Sequence, residues 1–119
     1  MKTTTQLTLG LALAVFAGTA FGHHSFAMFD SEKEVVVEGT VREFQWTNPH
    51  SWIQLVVTEA GQPVEYSIEA DSPNILSRRG WSKASFAPGD RVKITIHPMK
   101  DGSKGGSYVT AVLANGKTL

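Results

Sequence analysis

The stretch "EVVVEGTVREFQW" (34–46) is dense in β-branched and aromatic residues, which suit a pleated surface. Its alternation breaks midway: Val35, Val37 and Val41 share one phase, Phe44 and Trp46 the other, with Gly39 near the middle of the stretch. A phase change around a glycine predicts a bulge or sharp bend in one long curved strand. "TNPH" (47–50) follows as a turn, where Asn48 can hydrogen-bond local backbone and Pro49 fixes φ.

Beyond that turn the β pattern continues. "SWIQLVVTE" (51–59) sets Ile53, Leu55 and Val57 on one face, and "PVEYSIEA" (63–70) sets Val64, Tyr66 and Ile68 inward against Glu65, Ser67 and Glu69. "DSPNILSRRG" (71–80) predicts a short helix: Asp71 or Ser72 can cap it, Pro73 suits its first turn, and Gly80 can take the left-handed stop. Ile75 and Leu76 are its expected core contacts. A fourth strand, "RVKITIHP" (91–98), points Val92, Ile94 and Ile96 inward, and "MKDGSKGGS" (99–107) reads as a mobile hairpin loop before a fifth strand, "YVTAVLA" (108–114). The order is three strands, a helix and two strands. That predicts a mostly β fold, a five-stranded OB-like barrel closed so that no edge stays free. An open antiparallel sandwich plugged by the helix is the alternative.

Composition bounds the partners. The 119 residues hold 11 basic and 11 acidic side chains and no cysteine, which fits one small domain and excludes disulfides and thiolate metal sites. Balanced charge argues against nucleic acid or anionic lipid as the main partner. At the N-terminus, Lys2 precedes a weakly interrupted apolar run, Leu7 to Ala17, which is followed by small residues. This pattern predicts a secretory signal over 1–22, cut before His23, with Ala20 and Gly22 at the −3 and −1 positions; Gly18 and Ala20 would instead allow a cut before Phe21. The run falls short of the roughly 20 apolar residues of a membrane span. A histidine-led leader (23–33) and the barrel domain (34–119) would form the exported chain, periplasmic or secreted.

Four segments together carry a resemblance: "HHSFAMFD" (23–30), "GTVREFQWTNPHSWI" (39–53), "DSPNILSRRGW" (71–81) and "PGDRVKITIHPMKDGS" (88–103). The chain resembles a family of small secreted bacterial proteins classed as a domain of unknown function, with the paired-histidine start and the NPH turn as its most distinctive marks. The resemblance implies an exported, β-rich, OB-like domain and no established activity, so any function must come from the chemistry of the residues.

Histidine supplies the first candidate. A cut before His23 would give that residue a free α-amino group, ordinarily of pKa about 8, beside its own imidazole, and the two can chelate one ion. With a further imidazole the set becomes all-nitrogen, which suits Cu(II), and Zn(II) or Ni(II) less selectively. His23, His24, His50 and His97 are the candidate ligands, and copper is the preferred cofactor. Strand order favours His97 as the partner of the leader, whereas the family motif favours His50, which the length of the first strand puts roughly 40 Å away along the chain. Met28 and Met99 could add soft sulfur for Cu(I), although methionine more commonly fills gaps in packing. The plain alternatives are a solvated chain end at His23–His24 and a turn-flanking role for His50.

A second candidate is a ligand-binding face of Trp46, Trp52, Gln54, Glu65, Glu69 and Trp81, drawn from the outer surface of strands two and three and the tryptophans around it. It would take a glycan, a peptide or a cationic small molecule; the competing assignment makes Trp46 and Trp81 covers of the barrel ends. Catalysis finds no footing, because Glu65 and Glu69, four apart on a strand, stand about 13 Å apart, beyond the spacing of paired glycosidase carboxylates. The expectation is a non-enzymatic binding domain.

Overall fold

In the computed structural model, which describes residues 26–119, β1 (Val35–Gln45) is shared between two neighbours. Its first half, Val35 to Thr40, pairs antiparallel with β4 (Arg91–Pro98), and its second half, Thr40 to Gln45, pairs antiparallel with β2 (Ser51–Glu59). Gly39 stands at the handover. A Cβ there would lie 2.3 Å from the Val56 carbonyl oxygen, so only glycine admits the crossing strand. The phase change itself comes slightly later, at a bulge between Val41 and Glu43.

β2 continues antiparallel into β3 (Gln62–Ala70), and the sheet closes in the order β1-β2-β3-β5-β4. The sandwich alternative is thereby excluded, and the OB-like barrel stands. Closure depends on a short parallel pairing of Ser67–Glu69 with Gly105–Ser107, the start of β5 (Gly105–Val112). The sequence pattern assigned 105–107 to a mobile loop. They are strand instead, because the closing seam needs backbone to approach backbone: a Cβ on Gly105 would sit 2.2 Å from the Ser67 oxygen, and one on Gly106 2.2 Å from the His97 oxygen.

Helix α1 (Pro73–Arg78) is shorter than the pattern suggested. Ser72, rather than Asp71, caps it, its hydroxyl accepting from the Ile75 N–H at 3.4 Å. At the other end the Gly80 N–H donates to Ser77 and the Trp81 N–H to Leu76, a Schellman stop with Gly80 at φ +88°. That stop folds Trp81 back over Leu76 into the core. Leu76 is fully buried, whereas Ile75, expected to be a second core contact, is 40 % exposed.

The interior is aliphatic: Ile53, Leu55, Ile68, Ile94 and Ile96 are all sealed from solvent, each contributing about 1.5–3 kcal/mol by burial. Aromatic rings extend it, with Trp81 against Phe86 at 5.3 Å and Tyr108 at 4.8 Å, and Phe44 bridging Phe86 and Trp46. The expected signal segment (1–22), His23 and His24 lie outside the described residues. From Phe26 onward the leader is docked: Phe26–Met28 make a 3-10 turn, Phe29 bridges Met99 and is buried, and the Asp30 N–H donates to the Pro98 carbonyl at 2.8 Å.

Candidate functional site

One lateral row of residues crosses the closing seam. Glu69 on β3 is paired with Ser107 on β5, and Ser107 is paired with His97 on β4. Adjacent strands stand about 4.8 Å apart, so Glu69 and His97 flank the seam at roughly 10 Å with a small serine between them. The low middle of this row leaves a notch. It forms a cavity of about 270 Å³ whose walls include Phe26, His50, Glu69, Asp71, His97 and Tyr108.

Two of the four histidines therefore meet at one place. Treating His50 and His97 as rivals at opposite ends of a strand is corrected by the barrel: β1 coils, and closure through β5 brings the start of β2 beside the end of β4. The His50 Nδ1 lies 3.3 Å from the Glu69 Oε1, a carboxylate contact of the kind that orients metal-binding imidazoles. His97 faces the leader, its Nδ1 2.8 Å from the Lys33 carbonyl oxygen. Because a carbonyl only accepts, this bond puts the proton of the neutral ring on Nδ1 and the lone pair on Nε2.

Glu69 was expected on an exposed ligand-binding face. Its residue is only 5 % exposed, because the seam and the neighbouring segments cover the outer end of β3. Among the described residues, two buried side-chain atoms find no hydrogen-bond partner: the Glu69 Oε2 and the Ser51 Oγ. Glu69 lines the notch, whereas Ser51 shares the buried phase of Ile53 and Leu55 on β2. A buried carboxylate oxygen without a partner carries a desolvation cost that good cores avoid. The neighbouring Asp71 is held by Arg79 at 2.6 Å. Burial pushes the Tyr108 phenol well above its ordinary 10, and its hydroxyl donates to the Leu119 backbone oxygen at 2.8 Å.

The rest of the expected binding face disperses. Trp81 is a core residue, 6 % exposed, and Trp46 packs edge-on to Phe44 at 5.7 Å beside that core, so neither joins Trp52. The Schellman turn carries Trp81 inward, and the bulge in β1 sets the phase of Phe44. Glu65 pairs with Arg42 at 2.9 Å, and the Gln54 amide donates to the Gln45 side chain at 3.2 Å. Trp52 instead lines a second, smaller cavity of about 160 Å³ together with Met28, Phe29 and Met99, and Glu69 is in the wall of this one too.

Among the described residues, no three His, Asp or Glu side chains converge closely enough to hold a metal ion. A site at the notch would need donors from the leader. Sequence reasoning missed Phe26 and Ser107 as its walls; the only available signal was the glycine pair at 105–106, which marks close backbone approach.

The model of the family of unknown function DUF6152 matches residues 11–108. The chain belongs to this family. No curated protein is similar enough to this DUF6152 protein to count as a relative. Among solved structures, the chain is similar to the crystal structure of Rim1, the mitochondrial single-stranded DNA binding protein of S. cerevisiae, with 15 % identity over 69 % of this chain and 94 % of that one, at a TM-score of 0.50. The likeness shows the barrel fold alone. It lends no support to the expectation that nucleic acid is excluded as a partner.

Proposed function

We propose that this small β-barrel of unknown function is an exported, non-catalytic metal-binding domain that takes Cu(II) between its histidine-led start and the seam notch. The observation that carries the reading is Glu69: a nearly sealed carboxylate with one unsatisfied oxygen, set against the His50 imidazole in a cavity that His97 also lines. Phe26 is in the wall of the same cavity, and His24 precedes it by two residues. Covalent geometry limits His24 to within about 7 Å of Phe26, Cα to Cα, so the leader's imidazoles can reach the notch. The leader would then supply the donors that the described residues lack for a complete set. An imidazole-rich site suits Cu(II) by ligand type. Cleavage before His23 would add an α-amine to that set.

The test is Cu(II) titration of the processed protein by calorimetry, with its N-terminus fixed by mass spectrometry. One equivalent should bind, and His23→Ala/His24→Ala and His97→Ala should each weaken binding by at least tenfold. Affinity should fall as the pH is lowered, since protons compete for the imidazoles. Unchanged affinity in the leader variant would end this reading.

A further inference from the structure

The second cavity has a chemistry of its own. Met28 and Met99 come together because the leader is stitched to the end of β4: Phe29 bridges Met99, and the Lys100 N–H donates to the Met28 carbonyl at 2.9 Å. Both methionines line a cavity of about 160 Å³ with Trp52 and Glu69. They are two of the chain's three methionines. Lys104, also in its wall, is neutralised by Glu59 at 2.9 Å.

We propose that this cavity, which shares the Glu69 wall with the histidine notch, is a soft-cation site that takes Cu(I) or its redox-inert analogue Ag(I). Thioethers select soft monovalent copper over hard or strongly hydrated ions. An indole face attracts a cation, and does so more strongly where water is excluded. Glu69, which lines this cavity, supplies one negative charge, which matches one monovalent ion. A divalent ion would retain net charge among thioether and aromatic walls. Glu69 lines both cavities, but the soft-cation site requires neither His23 nor His24 and the Cu(II) site requires neither methionine, so those residues tell the two readings apart.

Ag(I) titration of the full protein labelled with 13C at the methionine methyls tests the proposal. The Met28 and Met99 methyl resonances should both shift and saturate at one equivalent, with quenching of Trp52 fluorescence. Met28→Leu/Met99→Leu conserves volume and should leave the fold intact, yet should lower Ag(I) affinity by at least tenfold while Cu(II) binding persists. His23→Ala/His24→Ala should do the reverse. Methyl resonances that do not move, or an unchanged Ag(I) affinity in the double leucine variant with the fold verified by its amide spectrum, would overturn the site and show that the two methionines are packing alone.

Discussion

The barrel interior and the barrel seam are built from the same strands by opposite rules. Inside, Ile53, Leu55, Ile68 and Ile94 fill the space with aliphatic carbon. At the seam, two carboxylates, two imidazoles and a serine ring a notch, the backbone is stripped to glycine, and one of the two unsatisfied buried polar atoms of the described residues, the Glu69 Oε2, belongs to a residue of its wall. A protein selected only for stability would have filled the seam as it filled the core, since replacing a buried charged pair by well-packed apolar groups is commonly neutral or stabilising. The difference teaches where to look for function in a fold whose family carries no assigned activity.

That contrast can be broken at its strongest point first. Gly106→Val should abolish cooperative folding, because the added Cβ would meet the His97 carbonyl at 2.2 Å and the barrel cannot close; a flat thermal melt by circular dichroism would show it. Ile53→Ala should fold but lose about 2–5 kcal/mol, as a sealed aliphatic side chain leaves a cavity in the interior, measured by urea denaturation. At the notch the pattern should invert. Glu69→Gln keeps the shape and removes the buried charge, so stability without metal should change by less than about 1.5 kcal/mol, while His50→Ala, which strands the carboxylate, should cost about 1–3 kcal/mol. If Glu69→Gln proved as damaging as Ile53→Ala, the seam would be a structural element like the core.

The smallest effect belongs to the half-buried network of Glu59, Tyr66 and Lys104. The Tyr66 hydroxyl, followed by the Lys104 ammonium, holds the Glu59 carboxyl below its ordinary 4.5, and Glu59 in turn raises the Tyr66 phenol. A carboxyl lowered on folding stabilises fully above its ordinary value and loses that contribution as the pH falls through the lowered one. Glu59→Gln should therefore flatten the acid limb of the melting temperature below pH 4.5 and leave the Cu(II) titration unchanged, while Ag(I) affinity should fall because Lys104 in the wall of that cavity loses its counter-charge.

Much of this was legible along the chain. The alternation in 51–59, 63–70 and 91–98 depends only on which face of a strand is apolar, and Ser72, Pro73 and Gly80 bound the helix by local backbone chemistry. The phase break near Gly39 marked the bent first strand, with the bulge displaced to Val41/Glu43. Trp81 was misplaced because a single aromatic residue after a helix stop carries no periodicity; only the Schellman geometry turns it inward. Glu69 was misplaced for a related reason, since its outward phase is right and the cover that buries it comes from distant segments.

By itself the sequence determined the strands, their inward faces, the helix and the order that makes a closed barrel, because those properties are set between near neighbours in the chain. Only the tertiary structure decided that Ser67–Glu69 lie beside Gly105–Ser107, and with that pairing the meeting of His50, Glu69 and His97, the burial of a carboxylate and the union of Met28 with Met99. Parallel closure joins segments with no local signal of their partnership, and the glycines that permit it look, in one dimension, like an ordinary loop.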